Sequence, residues 1–365
     1  MLGYILRRIL LMIPTLFIIS VISFAVIQLP PGDYLSTYAA QMSIEGSPID
    51  VQSLEALRER YGLGQPIYVQ YYKWISGIIL RGDWGQSMEW QKPVKDLIWE
   101  RIGLTMALSA FALLVSWFVA IPIGVYSATH QYSIPDYVMS VISFFGVGTP
   151  GFMIALVVMW LAMTRLGLNV GGLFSQECLL APWVFPAAAE RTACGAAAAP
   201  QDSSGIALLL DILRGAKLVN WPKVADLLKH IWIPVLIIAV NGTAGSIRTT
   251  RANLLDELNK PYVETARAKG LKEGKLIWKY PVRVAMNPFF STVGWSLASL
   301  ISGQTLIAYV LSLQTTGPMM LRALTSQDMY LAGSFLLLLS TLTVIGTLIS
   351  DILLAWVDPR IRLGG

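Results

Sequence analysis

Residues 270–276, GLKEGKL, come nearest in this chain to a phosphate cradle. A P-loop needs four residues between its glycines, so that backbone N–H groups wrap the phosphates, and a Ser or Thr after the lysine to reach magnesium. Here three residues separate Gly270 from Gly274, and Leu276 stands where the hydroxyl is required. The other reactive side chains are sparse: two cysteines, Cys178 and Cys194, and two histidines, His130 and His230. No Cys-x-x-Cys, His-Glu-x-x-His or Gly-x-Ser-x-Gly pattern occurs, so metal and nucleophile chemistry have almost nothing to work with. We expect no catalytic residue, no metal and no cofactor. For the cysteines a disulfide, if their loop faces an oxidising compartment, and two unpaired thiols both stand open.

What remains is a charged stretch between two apolar runs, YVETARAKGLKEGKLIWKYPVR at 262–283. Its punctuation is helical. Asn259 is placed to cap a start, Pro261 falls in the first turn where its missing N–H costs nothing, and Glu264 lies near the positive end of the helix dipole. Lys269 falls in the last turn and Gly270 where a left-handed terminating residue is wanted. The spacing predicts a short helix over 261–269 and a second beginning near Lys272 and leading through Pro281. A short helix held at a membrane face can be gripped by a soluble partner and moved as a rigid body. A basic hairpin resting on anionic lipid has the same charge and position. The residues alone leave both readings open.

The elements that hold this stretch are membrane spans. Of 365 residues 55% are hydrophobic and 13% charged, and mean hydropathy is +0.59. A soluble domain is about a quarter charged, so lipid is the solvent implied. The net charge of +5 is not a nucleic-acid signal, because the cations cluster beside apolar runs. Six runs reach the roughly 20 residues a crossing needs: 9–29, 102–126, 138–161, 231–247, 288–311 and 331–357. The fourth is interrupted by Pro234, Asn241, Gly242 and Gly245, which suits a helix that faces protein. Arg7 and Arg8 put 1–8 in the cytoplasm, and the apolar run after them is too long for a signal peptide. Nine basic residues then put the loop 248–287 inside, and Arg360 and Arg362 put 358–365 inside too. The loops 30–101 and 162–230 are left outside. A crossing by the stretch 179–199 would send the nine-cation loop to the wrong face, so an external linker is expected there. Within these loops, SLEALRERYGL is amphipathic, and IALLLDILRGAKL is too short to span and suits the membrane surface.

Polar groups inside the apolar runs are candidates for a solute path. Asn241 and Gln304 lead, with Gln28 and the Ser and Thr residues of the fifth run. The alternative for each is a hydrogen bond to a neighbouring helix. Asp351, near the cytoplasmic end of the sixth run, is read as an anchor.

ETARAKG resembles the Glu-Ala-Ala…Gly loop of ABC-transporter permease subunits, in the dipeptide/oligopeptide/nickel version. The likeness extends through LGYILRRILLMIPTLFIISVISFAVIQLPPGD, YGLGQPIYVQYYKWISGIILRGDWGQS, SFFGVGTPGFMIALVVMW and DILLAWVDPRIR, and so covers most of the chain. Thr265 replaces the first Ala, and YPVRVAMNP stands where the general Ile-x-Leu-Pro element would be. The resemblance implies an all-α integral membrane protein with the type I importer fold, a core at about 95–360, and a cytoplasmic coupling helix. It implies a second homologous permease subunit, two ATP-binding subunits and an extracytoplasmic solute-binding protein as partners, in a bacterial inner membrane and without nucleic acid. Glu264, Thr265, Ala266, Arg267, Lys269 and Gly270 take the ATPase-coupling positions. The implied solute is a peptide, with oligosaccharide, opine or nickel as alternatives. An ion-coupled carrier would want mid-membrane ionisable residues and an internal repeat, neither of which is found; a membrane scaffold recruiting a cytosolic protein is the remaining competitor.

Overall fold

The computed structural model describes residues 2–28, 65–87, 89–165, 167, 171–179, 181, 183–186, 217–326 and 328–357. The amphipathic stretch 53–63, most of 206–218, Cys194, Arg360 and Arg362 lie outside the described residues.

Long apolar helices form wherever the sequence runs without a breaker. α1 is Leu2–Gln28, and α2 is Ile67–Ser76, continued by a wider turn at Gly77–Arg81. α3 spans Val94–Thr129, entered through Pro93 with Asp96 in its first turn. α4 (Ile134–Gly148) starts at Ser133, whose hydroxyl accepts from Asp136 N. It stops at Thr149, which the following Pro150 holds extended. α5 (Gly151–Arg165) then leaves at 105° to α4. A Cβ on Gly151 would lie 2.6 Å from Asn241 Nδ2, so the bend is packed closely against α7 and a larger residue there would displace the Asn241 side chain.

A one-turn helix α6 (Gln176–Leu179) and two three-residue strands follow, β1 (Val184–Pro186) and β2 (Lys217–Val219), antiparallel with Val184 opposite Val219. This ribbon is three residue pairs long and leaves the fold class all-α. It brings 184–186 beside 217–219, and Asn220 N donates to Trp183 O at 3.0 Å just ahead of α7. Cys178 is buried and disulfide-bonded, so the unpaired-thiol reading does not hold for it.

α7 (Trp221–Leu258) is capped by Asn220, whose side chain accepts from Lys223 N at 3.0 Å. After it come α8 (Pro261–Ala268), α9 (Glu273–Lys279), α10 (Pro281–Ala285), α11 (Asn287–Gly303), α12 (Thr305–Val310), α13 (Thr316–Thr325) and α14 (Met329–Val357). Among the described residues four helices are long and apolar enough to cross a membrane, or six if each bent pair counts as one span. α7 runs eleven residues past 247, where its apolar pattern ends, because nothing breaks it before the Lys260–Pro261 junction. The stretch 248–258 of the loop expected at 248–287 is therefore a continuation of α7.

Three apolar clusters hold the bundle. One joins α3, α5, α7 and α12 through Leu108, Ala155, Ile238 and Leu311. Another joins the start of α3 to α13 and α14 through Val94, Leu97, Met319 and Phe335. The third lies where α3, α7 and α10 end together, around Val125, Leu254 and Val282. α11 and α14 cross at Gly294 and Gly346, where an added Cβ on Gly294 would sit 1.8 Å from the Gly346 carbonyl carbon. Small residues let backbones approach in this way where water supplies no drive for association. Outward faces carry large apolar groups such as Phe118, Phe145 and Trp356. Arg8 pairs with Asp351 at 3.0 Å, tying the first turns of α1 to the last turns of α14.

Candidate functional site

Proline geometry decides how α8 begins. Lys260 precedes Pro261 and is held extended, at φ −83° and ψ 146°, so it and not Asn259 is the N-cap. Asn259 instead closes α7, donating from Nδ2 to Leu255 O at 3.1 Å. The expected Asn259 cap is thus corrected: the pre-proline residue must be the non-helical one. Glu257, on the last turn of α7, fixes the angle between the two helices. Its carboxylate accepts from Lys260 Nζ at 2.5 Å and from the Tyr262 hydroxyl at 2.6 Å. Burial and this hydrogen bond push the Tyr262 phenol up, so it stays a donor across the physiological range. Val263 is fully buried and is the peg by which α8 sits on the bundle, as Leu276 is for α9.

The rest of the short helix is presented outward. Glu264, Thr265, Arg267, Lys269 and Gly270 are exposed and Ala266 is half-buried. Thr265 Oγ1 donates back to Pro261 O at 2.9 Å. Gly270 has φ +76°, and its N–H donates to Arg267 O at 2.9 Å, so the chain turns sharply there. No atom within 4 Å would meet an added Cβ, so glycine is needed for its backbone angle and not for space. Across the turn Arg267 Nε donates to Glu273 Oε1 at 2.5 Å, holding α8 against α9 and lowering the Glu273 carboxyl below its ordinary value.

Seven residues before Leu258, Arg251 makes a second fixture, half-buried against a buried carboxylate. Its Nε and Nη2 each donate at 2.9 Å to the carboxylate of Asp136, at the start of α4. Asp136 is 2% exposed and also accepts from Ser127 Oγ of α3 and from Tyr132 N at 3.0 Å. One carboxylate thus binds α3, α4 and α7. Sequence reasoning missed both Glu257 and Asp136. For Asp136 the signal was a lone acid at the start of an apolar run, its cation concealed by 115 positions of sequence, whereas Glu257 has Lys260 only three residues on.

Further along α7 a cavity of about 330 Å³ opens between α3, α7 and α11. Asn241 is on its wall, with Ser116, Trp117 and Ser299. Gln304 is not among the lining residues; it sits at the break between α11 and α12, with its carbonyl accepting from Ala308 N. Among the described residues no three His, Cys, Asp or Glu side chains gather as a metal site.

Apolar helices of membrane-crossing length define an integral membrane protein, with the short rod of α8 presented outward from it. The chain belongs to the family described as "Binding-protein-dependent transport system inner membrane component", which matches residues 120–363, and its N-terminal companion matches 1–109. It is 31% identical over 365 residues to the oligopeptide transport system permease protein AppB of Bacillus subtilis (strain 168), covering 99% of this chain and 100% of that one. It is 29% identical to the dipeptide transport system permease protein DppB of Alkalihalophilus pseudofirmus, covering 99% and 100%. To the glutathione transport system permease protein GsiC of Escherichia coli (strain K12) it is 28% identical, covering 99% of each chain. The chain is an integral membrane permease subunit of an ABC importer that works with other transporter components, and ATP hydrolysis is carried by partner subunits.

Proposed function

We propose that this chain is one of two homologous permease subunits that enclose the path of a peptide through a bacterial inner membrane. Two cytosolic ATP-binding subunits grip the outward face of α8, and an extracytoplasmic binding protein delivers the solute. The observation that carries this reading is mechanical. The exposed rod of α8 is locked through Glu257 to α7, and α7 also forms the wall of the cavity. At 1.5 Å per residue its 38 residues extend about 57 Å, so a push on the rod is delivered to the solute path by one continuous element. Glu264, Thr265, Ala266, Arg267, Lys269 and Gly270 are the proposed coupling contacts. Asn241 is the proposed path-lining residue on α7, and Gln304 a candidate outside the cavity.

Orientation is proposed with both termini and α8 in the cytoplasm. The disulfide at Cys178 supports an oxidising location for the linker, and the Arg8–Asp351 pair supports one shared side for the first turns of α1 and the end of α14. The relatives' names favour a peptide over oligosaccharide, opine or nickel.

Co-purification tests the assembly. Two ATPase chains are expected to accompany the tagged permease pair from detergent-solubilised membranes, with ATP hydrolysis rising when peptide-loaded binding protein is added. A permease that emerges without any ATPase, or one whose complex ignores the loaded binding protein, contradicts the proposal.

A further inference from the structure

α8 takes only the first part of the charged stretch 262–283, and α9 and α10 carry the rest. These two short helices sit on the bundle through Leu276, Val282 and Ala285, which are buried. Their exposed side chains include Lys272, Lys275, Lys279 and Arg283. Among the described residues none of these four makes an ion pair. Glu273, the one acid between 272 and 285, is already held by Arg267. Four cations therefore stand together with no carboxylate of the described chain to meet them.

Apolar side chains are exposed among the cations. Trp278 is 53% exposed and Val284 42%. On α9, Lys275 has Trp278 and Lys279 as its neighbours one turn on. Indole beside lysine is the pattern of a membrane interface, where the ring lies at headgroup level and the cations meet phosphate. The position agrees. α9 and α10 lead at 46° into α11, whose apolar run follows at once. Arg283 lies four residues before Asn287, about 6 Å along a helix. The headgroup layer is roughly 5–8 Å deep on each side of the hydrocarbon, so the patch begins inside it. α8 is different in kind: its outward face mixes Glu264 with Thr265 and Lys269 and carries no indole. Mixed charge suits a groove on a protein, and cations of one sign around an indole suit lipid phosphate.

We propose that the elbow of α9 and α10 binds anionic phospholipid headgroups of the cytoplasmic leaflet, with Lys275, Lys279 and Arg283 on the phosphates and Trp278 seated between them. The proposal rests on the cytoplasmic placement of α8 and adds a second partner beside it. The rod goes to the ATPase and the elbow to lipid, so each of the two surfaces has its own occupant.

The test uses the full transporter in nanodiscs, with a fluorophore on Gly274→Cys, where an added Cβ meets nothing within 4 Å. Quenching is read with phosphatidylglycerol, and separately with phosphatidylcholine, each carrying a nitroxide high on one acyl chain. A cation near the surface enriches anionic lipid about fivefold. Phosphatidylglycerol is therefore expected to be at least about fivefold enriched over phosphatidylcholine at the label, and the preference to fade at high salt. Lys275→Gln combined with Lys279→Gln and Arg283→Gln is expected to abolish the preference while the ATPase stays attached. Equal quenching by both lipids, a preference indifferent to salt, or one that survives the three substitutions overturns the proposal. So does loss of the ATPase from the triple variant, which would give the elbow to that protein. Should the triple variant fail to accumulate, the salt series with all three side chains intact decides. The permease reading fails separately: a transporter that purifies without any ATPase removes that reading, and the lipid preference of the remaining protein still tests the elbow.

Discussion

Gly270 concentrates a whole turn into one backbone angle. At φ +76° with open space around it, a β-branched residue meets no clash but must adopt a left-handed conformation at a cost of about 1–2 kcal/mol. Gly270→Val is therefore expected to leave insertion intact and to lower coupled uptake at least about tenfold, as α8 and α9 lose their relative angle. Radiolabelled uptake beside immunoblotted membrane content checks this. Glu264 is exposed in the first turn of the rod and, among the described residues, acts through its charge on the nearby Arg267. Glu264→Lys should spare folding and thermal stability while weakening ATPase attachment, read as ATPase lost from the co-purified complex. Unchanged uptake in that variant would remove Glu264 from the coupling surface. The Arg267–Glu273 clasp has a pH signature. Because its folded carboxyl titrates below the ordinary value, its contribution is complete at neutral pH and is lost only as pH falls through that lowered value. Proteolysis between Lys269 and Lys272 is expected to accelerate in acid, and Arg267→Ala to cleave as fast at neutral pH.

Helices in this bundle are joined by two contrasting devices. At the hairpin end, a bidentate pair between Asp136 and Arg251 ties α4 to α7, with Ser127 of α3 as a third member. Asp136→Asn strands the Arg251 guanidinium, which is 28% exposed, and should destabilise the protein by about 1–3 kcal/mol. Thermal unfolding in detergent measures the loss, and Asp136→Asn with Arg251→Gln should recover part of it. Away from charges, α11 and α14 are joined by absence of side chains. Gly294 and Gly346 touch backbone to backbone, and Gly294 N donates to Ser350 Oγ at 2.8 Å. Even Gly294→Ala must push the helices apart, costing about 1–3 kcal/mol by the usual penalty for overpacking. A melting temperature equal to that of the unaltered protein would show that the crossing tolerates more room than the geometry allows.

Sidedness is a property of the entire chain, since reversing one span reverses the meaning of every loop. Lys275→Cys should resist a membrane-impermeant maleimide in intact cells and react once the cells are opened. Reaction in intact cells would place α8 outside and end the coupling reading. The apolar runs were legible because a helix in lipid must satisfy its backbone internally over about 20 residues, and composition alone reveals such a run. The bend at Thr149–Pro150–Gly151 was not, since the run 138–161 stays apolar through it. Nor was the reach of α7 beyond 247, where the helix outlasts the hydrophobic pattern until a proline stops it.

By itself the sequence determined which segments meet lipid, where the cations gather, and that a proline and a glycine bound a short rod between them. These are local matters, settled by hydropathy and by two residues with restricted or permissive backbone angles. Only the tertiary structure decided that Asp136 and Arg251 meet across 115 positions, and that Asn241 joins Ser116 in an uncharged cavity while Gln304 stands apart. Such pairings depend on how helices cross, and crossings are set by small residues and side-chain packing between segments distant in sequence.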